Sequence, residues 1–187
     1  TSSRDRTVYD YANIKNRTFS LLFNKEFRFF NVGLSYANTN FNTIQSHQAG
    51  FHSSVYPLSN LNLYYSLDLY YQHLFFDDQS QSNYIFHHTL GFKIFKNLWM
   101  ELSNTPTEQM NFYDVQNDIS YNAIEKVGSA YSASLIVPVY KIGLEVFSSF
   151  GYSSNNSYFF PDQDLLNPIN KHSYNSLIIT GGIKWTK

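Results

Sequence analysis

The stretch Leu61-Asn62-Leu63-Tyr64-Tyr65-Ser66-Leu67-Asp68-Leu69-Tyr70-Tyr71-Gln72 changes chemistry at every second residue. Its odd positions are Leu61, Leu63, Tyr65, Leu67, Leu69 and Tyr71. Its even positions are Asn62, Tyr64, Ser66, Asp68, Tyr70 and Gln72. Successive side chains of an extended chain point to opposite faces, whereas a helix would smear these two sets together. The stretch therefore predicts a strand with one apolar and one polar face.

The same alternation recurs along the chain. Phe30, Val32, Leu34 and Tyr36 alternate with Asn31, Gly33, Ser35 and Ala37. Phe86, Leu90, Phe92 and Ile94 alternate with His87, Thr89, Gly91 and Lys93, with His88 interrupting the apolar side. Tyr131, Ala133, Leu135 and Val137 form one such face, as do Ile142, Leu144 and Val146, and finally Leu177, Ile179, Ile183 and Trp185. Composition agrees. Aromatics make up 19% of the 187 residues, and 20 Asn and 23 Ser outnumber all charged residues together. Aromatic and β-branched residues suit a pleated surface, and Asn and Ser suit turns. The fold class predicted is all-β, in a single domain over residues 1–187.

Two kinds of connection separate the strands. Tight turns are expected around Asn24–Phe27, Leu58–Asn60, Lys96–Leu98 and Pro138–Lys141. Longer polar connections are expected over Thr39–Ser46, Phe76–Asn83, Asn104–Tyr121 and Ser153–Ser173. Short and long alternate, as in an up-and-down meander whose tight turns share one end. Four tight turns give eight strands, and Tyr174–Lys187 adds a ninth. Closure of an antiparallel barrel needs an even number, and Asp5–Ala12 is the candidate for the tenth. Eight strands is the alternative.

Charge and composition exclude several classes. A net charge of −1 with 14% charged residues offers no basic face for nucleic acid. Cysteine is absent, which excludes disulfides and thiolate metal sites. No apolar run approaches the roughly 18 residues of a membrane helix. A chain that begins at Thr1 without an apolar leader is expected to be a mature or trimmed product.

Alternation alone does not say which face is inside. The polar face consists mainly of Asn, Ser, Thr, Gly, His, Gln and Tyr, too few charges for a wetted exterior. The apolar face is too voluminous for the interior of a small barrel. Aromatic residues such as Phe29, Phe30, Tyr56, Phe95, Trp99 and Trp185 recur near strand ends, where lipid meets water. The expectation is a closed antiparallel up-and-down transmembrane β-barrel of about ten strands, apolar outside and polar within.

On this pattern, and on the terminal stretch from Leu177 to Lys187, the chain resembles the small bacterial outer-membrane β-barrel proteins as a class. That class often ends in an aromatic residue, whereas here Thr186 and Lys187 follow Trp185. The resemblance implies an integral protein of a Gram-negative outer membrane. Its partners would be membrane lipid, lipopolysaccharide and, for an accessory subunit, other outer-membrane proteins. The role implied is that of a structural or accessory subunit, or of a surface-binding barrel.

Chemistry-bearing residues are few. His87 and His88 are adjacent, so on a strand they face opposite ways and cannot share a metal. His-x-His spacing is absent, and no metal or cofactor is expected. An outer-rim hydrolase or acyltransferase would use Ser with His and a carboxylate, but Gly-x-Ser-x-Gly does not occur and no catalytic residue is assigned. Asp68, Lys93, Glu101, Glu145 and Lys184 lie on the polar face and are expected to form a lumen network. A turn at Lys96–Leu98 would pair Phe95 with Trp99 and Lys93 with Glu101. Such a network plugs the lumen, and the alternative is a narrow channel. The long connections carry exposed-looking aromatics, Phe112, Tyr113, Tyr158, Phe159 and Phe160, as candidate binding residues.

Overall fold

A computed structural model of the chain describes residues 16–41, 44–76, 79–116, 119–121, 126–139, 142–159 and 170–185. Its strands are β1 (Arg17–Glu26), β2 (Phe30–Phe41), β3 (Ile44–Val55), β4 (Leu63–Phe76), β5 (Gln79–Phe95), β6 (Leu98–Thr105), β7 (Phe112–Asp114), β8 (Ile119–Tyr121), β9 (Lys126–Val139), β10 (Leu144–Phe159) and β11 (Asn170–Trp185). Nine of them form one antiparallel sheet in the order β1-β2-β3-β4-β5-β6-β9-β10-β11, while β7 and β8 pair separately. This is the expected up-and-down meander. Among the described residues there is no α-helix, and the sheet is open, with β1 and β11 as its edges. The segment Asp5–Ala12, expected to be a further strand, lies outside the described residues.

The long strands are explained by their alternation. Residues 33, 35, 37, 39 and 41 of β2 are buried, and so are residues 44, 46, 48, 50 and 52 of β3. The buried set is largely small or polar: Ser35, Ala37, Thr39, Ser46, Gln48 and His52. The opposite face exposes Leu34 at 61%, Ile179 at 70% and Trp185 at 74%. The sheet is thus polar on its inner, covered face and apolar on its outer one. Leu63, Leu67 and Leu69 fall on the outer face with Tyr65 and Tyr71, and Ser66, Asp68, Tyr70 and Gln72 fall on the inner.

The connections differ from expectation at three places. Phe41 pairs with Ile44 and Phe76 with Gln79, so Thr39–Ser46 and Phe76–Asn83 are mostly strand, with two residues between the ladders. Likewise β10 and β11 stay paired as far as Phe159 and Asn170, well inside Ser153–Ser173. These strand ends are rich in Asn, Ser and Gln on both faces, so period-2 contrast weakens while the ladder continues. Composition then reads as loop where hydrogen bonding says strand.

The tight turns lie at the other end. Phe27 donates its N–H to the Phe30 carbonyl at 2.8 Å, and the two rings stack at 4.5 Å between centroids. Lys96 and Asn97 alone link β5 to β6. Gly143, at φ 63°, takes the left-handed conformation that a side chain would disfavour before β10.

The hydrophobic core is small and lies near the end opposite these turns. Ile44, Leu74 and Met110 make one cluster, Ala37, Phe41 and Tyr113 a second, and Tyr70, Ile85 and Phe112 a third. Each cluster joins the wall to the segment between β6 and β9.

Candidate functional site

That segment does not project as a surface loop. It folds inward and lays the β7–β8 hairpin against the inner face of β2 to β5. Its backbone is held by wall side chains whose shape mimics a peptide. Gln48 donates from Nε2 to the Tyr113 carbonyl and accepts from the Tyr113 N–H at Oε1, both at 3.0 Å. Gln72 Nε2 donates to the carbonyls of Met110 and Asn111, each at 3.1 Å. Polar groups carried away from water are costly unless bonded, and these two glutamines satisfy hairpin groups that no neighbouring strand reaches. The Tyr70 and Phe112 rings meet edge to face at 4.9 Å.

Phe112 and Tyr113, expected to be exposed loop aromatics, are therefore only 4% and 6% exposed. The correction has a simple cause: an aromatic pair flanked by turn residues reads alike whether the loop turns outward or in. Tyr158 and Phe159 belong to β10, opposite Lys171 and Asn170. Their side chains, and Phe160, lie outside the described residues.

Nearer the tight turns, a row of directly opposed residues crosses the inner face. Asn24 pairs with Gly33, Gly33 with His52, His52 with Asp68, and Asp68 with His87. His87 Nδ1 then meets Thr105 Oγ1 at 2.8 Å. Beside this row Ser35 faces Gly50. Ser35 and His52 thus occupy one diagonal of a square whose other corners are Gly33 and Gly50. A Cβ on Gly50 would collide with Ser35 Oγ and the Tyr70 ring, so glycine there is what lets the diagonal close. Across it, Ser35 Oγ lies 2.7 Å from His52 Nε2. His52 Nδ1 lies 3.0 Å from Asp68 Oδ1. The same Asp68 oxygen accepts from Gln116 Nε2 of the hairpin at 2.9 Å. Tyr70 packs edge-on to the imidazole at 5.2 Å.

The other inner-face charges are arranged differently from expectation. Lys93 and Glu101 do not pair. An irregularity between Lys93 and Phe95 shifts the register, so that Lys93 opposes Trp99, Gly91 opposes Glu101 and Phe95 opposes Leu98. The Lys93 ammonium stands 5.1 Å from the Trp99 ring centroid. Tyr64 lies over Gly91 and donates its hydroxyl to Glu101 Oε1. Glu145 and Lys184 oppose one another across β10 and β11 on the same face. Asp68, Lys93, Glu101, Glu145 and Lys184 thus share the inner face, but as several local contacts and not as one network.

A cavity of about 370 Å³ lies beneath the hairpin, between Asp68 and Tyr70 on one side and Ser132, Ser153 and Ser176 on the other. Among the described residues no group of three or more His, Asp or Glu is placed to hold a metal ion. On the outer face, polar side chains are bonded across strands: His88 Nδ1 to the Tyr65 hydroxyl at 2.6 Å, and His47 Nδ1 to the Tyr36 hydroxyl at 2.7 Å.

Two features were not read from the sequence. The Ser35, His52 and Asp68 set is spread over three strands at spacings of 17 and 16 residues. Only the register of both hairpins could have disclosed it. The inward hairpin had a faint signal in Gln48 and Gln72, long amides at inner positions of adjacent strands, directly opposite one another. No family model, curated protein or solved structure matches this chain.

Proposed function

We propose that this chain is an integral β-barrel of a bacterial outer membrane, plugged and not conducting, which serves as a structural or accessory subunit or as a surface-binding barrel through its long-loop end. The observation that carries this reading is the inverted polarity of the wall. An apolar outer face covering a polar inner one suits a sheet whose solvent is lipid. The bonding of outer-face His88 to Tyr65 supports it, since an unsatisfied polar group costs several kcal/mol, on the order of 4–8, in hydrocarbon.

Lipid also tolerates no free sheet edges, because unpaired backbone groups there have no water to turn to. Residues 5–12 are proposed to close the barrel as a tenth strand between β1 and β11. The hairpin supports the plugged reading over the channel one, because it fills the long-loop end of the lumen. Membrane lipid and lipopolysaccharide would surround the wall, and a partner outer-membrane protein would meet the long-loop end.

Reconstitution tests this directly. The full chain should fold in detergent micelles or lipid vesicles to a protease-resistant form that migrates anomalously on gels until heated. Planar bilayers containing it should show no steady single-channel conductance. A monodisperse folded protein in buffer without detergent would overturn the membrane reading, and steady conductance would overturn the plug.

A further inference from the structure

Beyond an anchoring or accessory role, we infer that Ser35, His52 and Asp68 form a nucleophilic site that hydrolyses short-chain carboxylic esters inside the lumen. The argument is geometric and does not depend on whether the outer face meets lipid. A serine hydroxyl is a weak nucleophile unless a base can take its proton, and that base must be held in one tautomer and orientation. Here Ser35 Oγ sits 2.7 Å from His52 Nε2, within the reach that proton transfer requires. The opposite ring nitrogen, Nδ1, is 3.0 Å from Asp68 Oδ1. The carboxylate therefore fixes Nδ1 as the protonated nitrogen and leaves Nε2 free to accept.

The surroundings preserve this arrangement. Tyr70 packs against the imidazole, and Gln116 holds the carboxylate from the hairpin side. Gly33 and Gly50 leave the diagonal between Ser35 and His52 free of Cβ atoms. Ser35 also opposes Leu22 of β1, an apolar residue of the inner face, and the acyl group would lie there. Backbone N–H groups around Ser35 are committed to the sheet ladders, so a side chain must meet the oxyanion. Asn24, whose carboxamide oxygen lies over Gly33 opposite His52, would do so by turning its amide to present Nδ2.

The chemistry balances with water as the only co-reactant. Ser35 Oγ attacks the ester carbonyl as its proton passes to His52 Nε2, and the C–O bond to the alcohol breaks as that proton moves to the leaving oxygen. Water then attacks the acyl-serine through the same base, releasing the acid and restoring Ser35. Asp68 is a positioning residue in this scheme, acting through His52.

The test uses the full folded chain in detergent, a fluorophosphonate probe and p-nitrophenyl butyrate. The probe should attach to Ser35, located by peptide mass, and p-nitrophenol should be released above the buffer rate. Ser35→Ala should abolish both while keeping heat-modifiable migration. Asn24→Ala should lower turnover about 100-fold. Asp68→Asn should lower labelling at least as much, with partial recovery in Asp68→Glu, a rescue that a merely structural carboxylate would not give. Absence of labelling at Ser35 in folded protein, or turnover unchanged in folded Ser35→Ala, overturns the inference. Should Ser35→Ala fail to fold, His52→Gln decides the same question.

Discussion

Leu67 and Asp68 are chain neighbours that meet opposite surroundings: one points outward, and the other accepts hydrogen bonds from His52 and Gln116 inside. If the outer face meets lipid, Leu67→Arg should cost about 2–4 kcal/mol near the bilayer midplane. Urea unfolding in lipid vesicles measures this, and a loss well under 1 kcal/mol would count against a lipid-facing Leu67. Lys93 and Glu101 permit a sharper test. Glu101 holds Tyr64 and Lys93 rests on Trp99, so the two do not depend on each other. Glu101→Ala should cost about 1–3 kcal/mol by stranding the Tyr64 hydroxyl, and Lys93→Met about 0.5–2 kcal/mol by losing its ring contact. The double variant should equal their sum to within about 0.5 kcal/mol. A coupling well above that would mean that the two charges pair after all.

The hairpin of β7 and β8 is the element that packs on the inner face of the sheet. Replacing residues 108–123 by a short Gly/Ser connection should leave the sheet ladders intact, because none of the nine wall strands is touched. If the wall is closed, the outcome expected in planar bilayers is steady conductance, where the intact chain should show none. Gln48→Leu should loosen the hairpin without removing it, costing about 1–3 kcal/mol for each Tyr113 backbone group left unpaired. Its readout is faster amide hydrogen exchange at Tyr113. The elements also show where sequence is legible. Leu61 to Gln72 disclosed both faces of β4, because apolar and polar residues alternate wherever a strand separates two solvents. Asn38 to Asn40 and Ser80 to Asn83 disclosed nothing, since both of their faces are polar. The partner of Lys93 lies two positions from the expected one, Trp99 in place of Glu101, because a local irregularity leaves no compositional trace. Asp68 was placed on the inner face by alternation alone, but its partner His52 needed the register.

For the whole molecule, closure is the decisive property. Nine strands leave two edges, and residues 5–12 are proposed to cover both. Removing residues 1–15 should therefore prevent the heat-modifiable form and promote aggregation, as exposed edges pair with other chains. Since the chain has no cysteine, single cysteine pairs placed in residues 5–12 and in β11 can be scored by disulfide formation without background. Cross-links that form in one strand register only would support a closed ten-stranded wall, and their absence would leave the sheet open.

Ala37, Phe41, Gln48, Tyr70 and Ile85, which pack on or bond to the hairpin's first strand, precede it in the chain, whereas Gln109 just before that strand bonds to Val127 of β9. This has a consequence for the order of assembly. When β1 to β6 have paired, they make a trough already lined with Gln48, Gln72, Tyr70 and Leu74, and the hairpin is the next segment delivered. It can be laid into an open half-shell, with β9 to β11 arriving afterwards as the cover. No segment has to thread a closed wall, and the three apolar clusters among the described residues can form before the sheet is complete. A fragment ending at residue 125 should accordingly protect the Tyr113 amide from exchange, whereas one ending at residue 105 has no hairpin to protect.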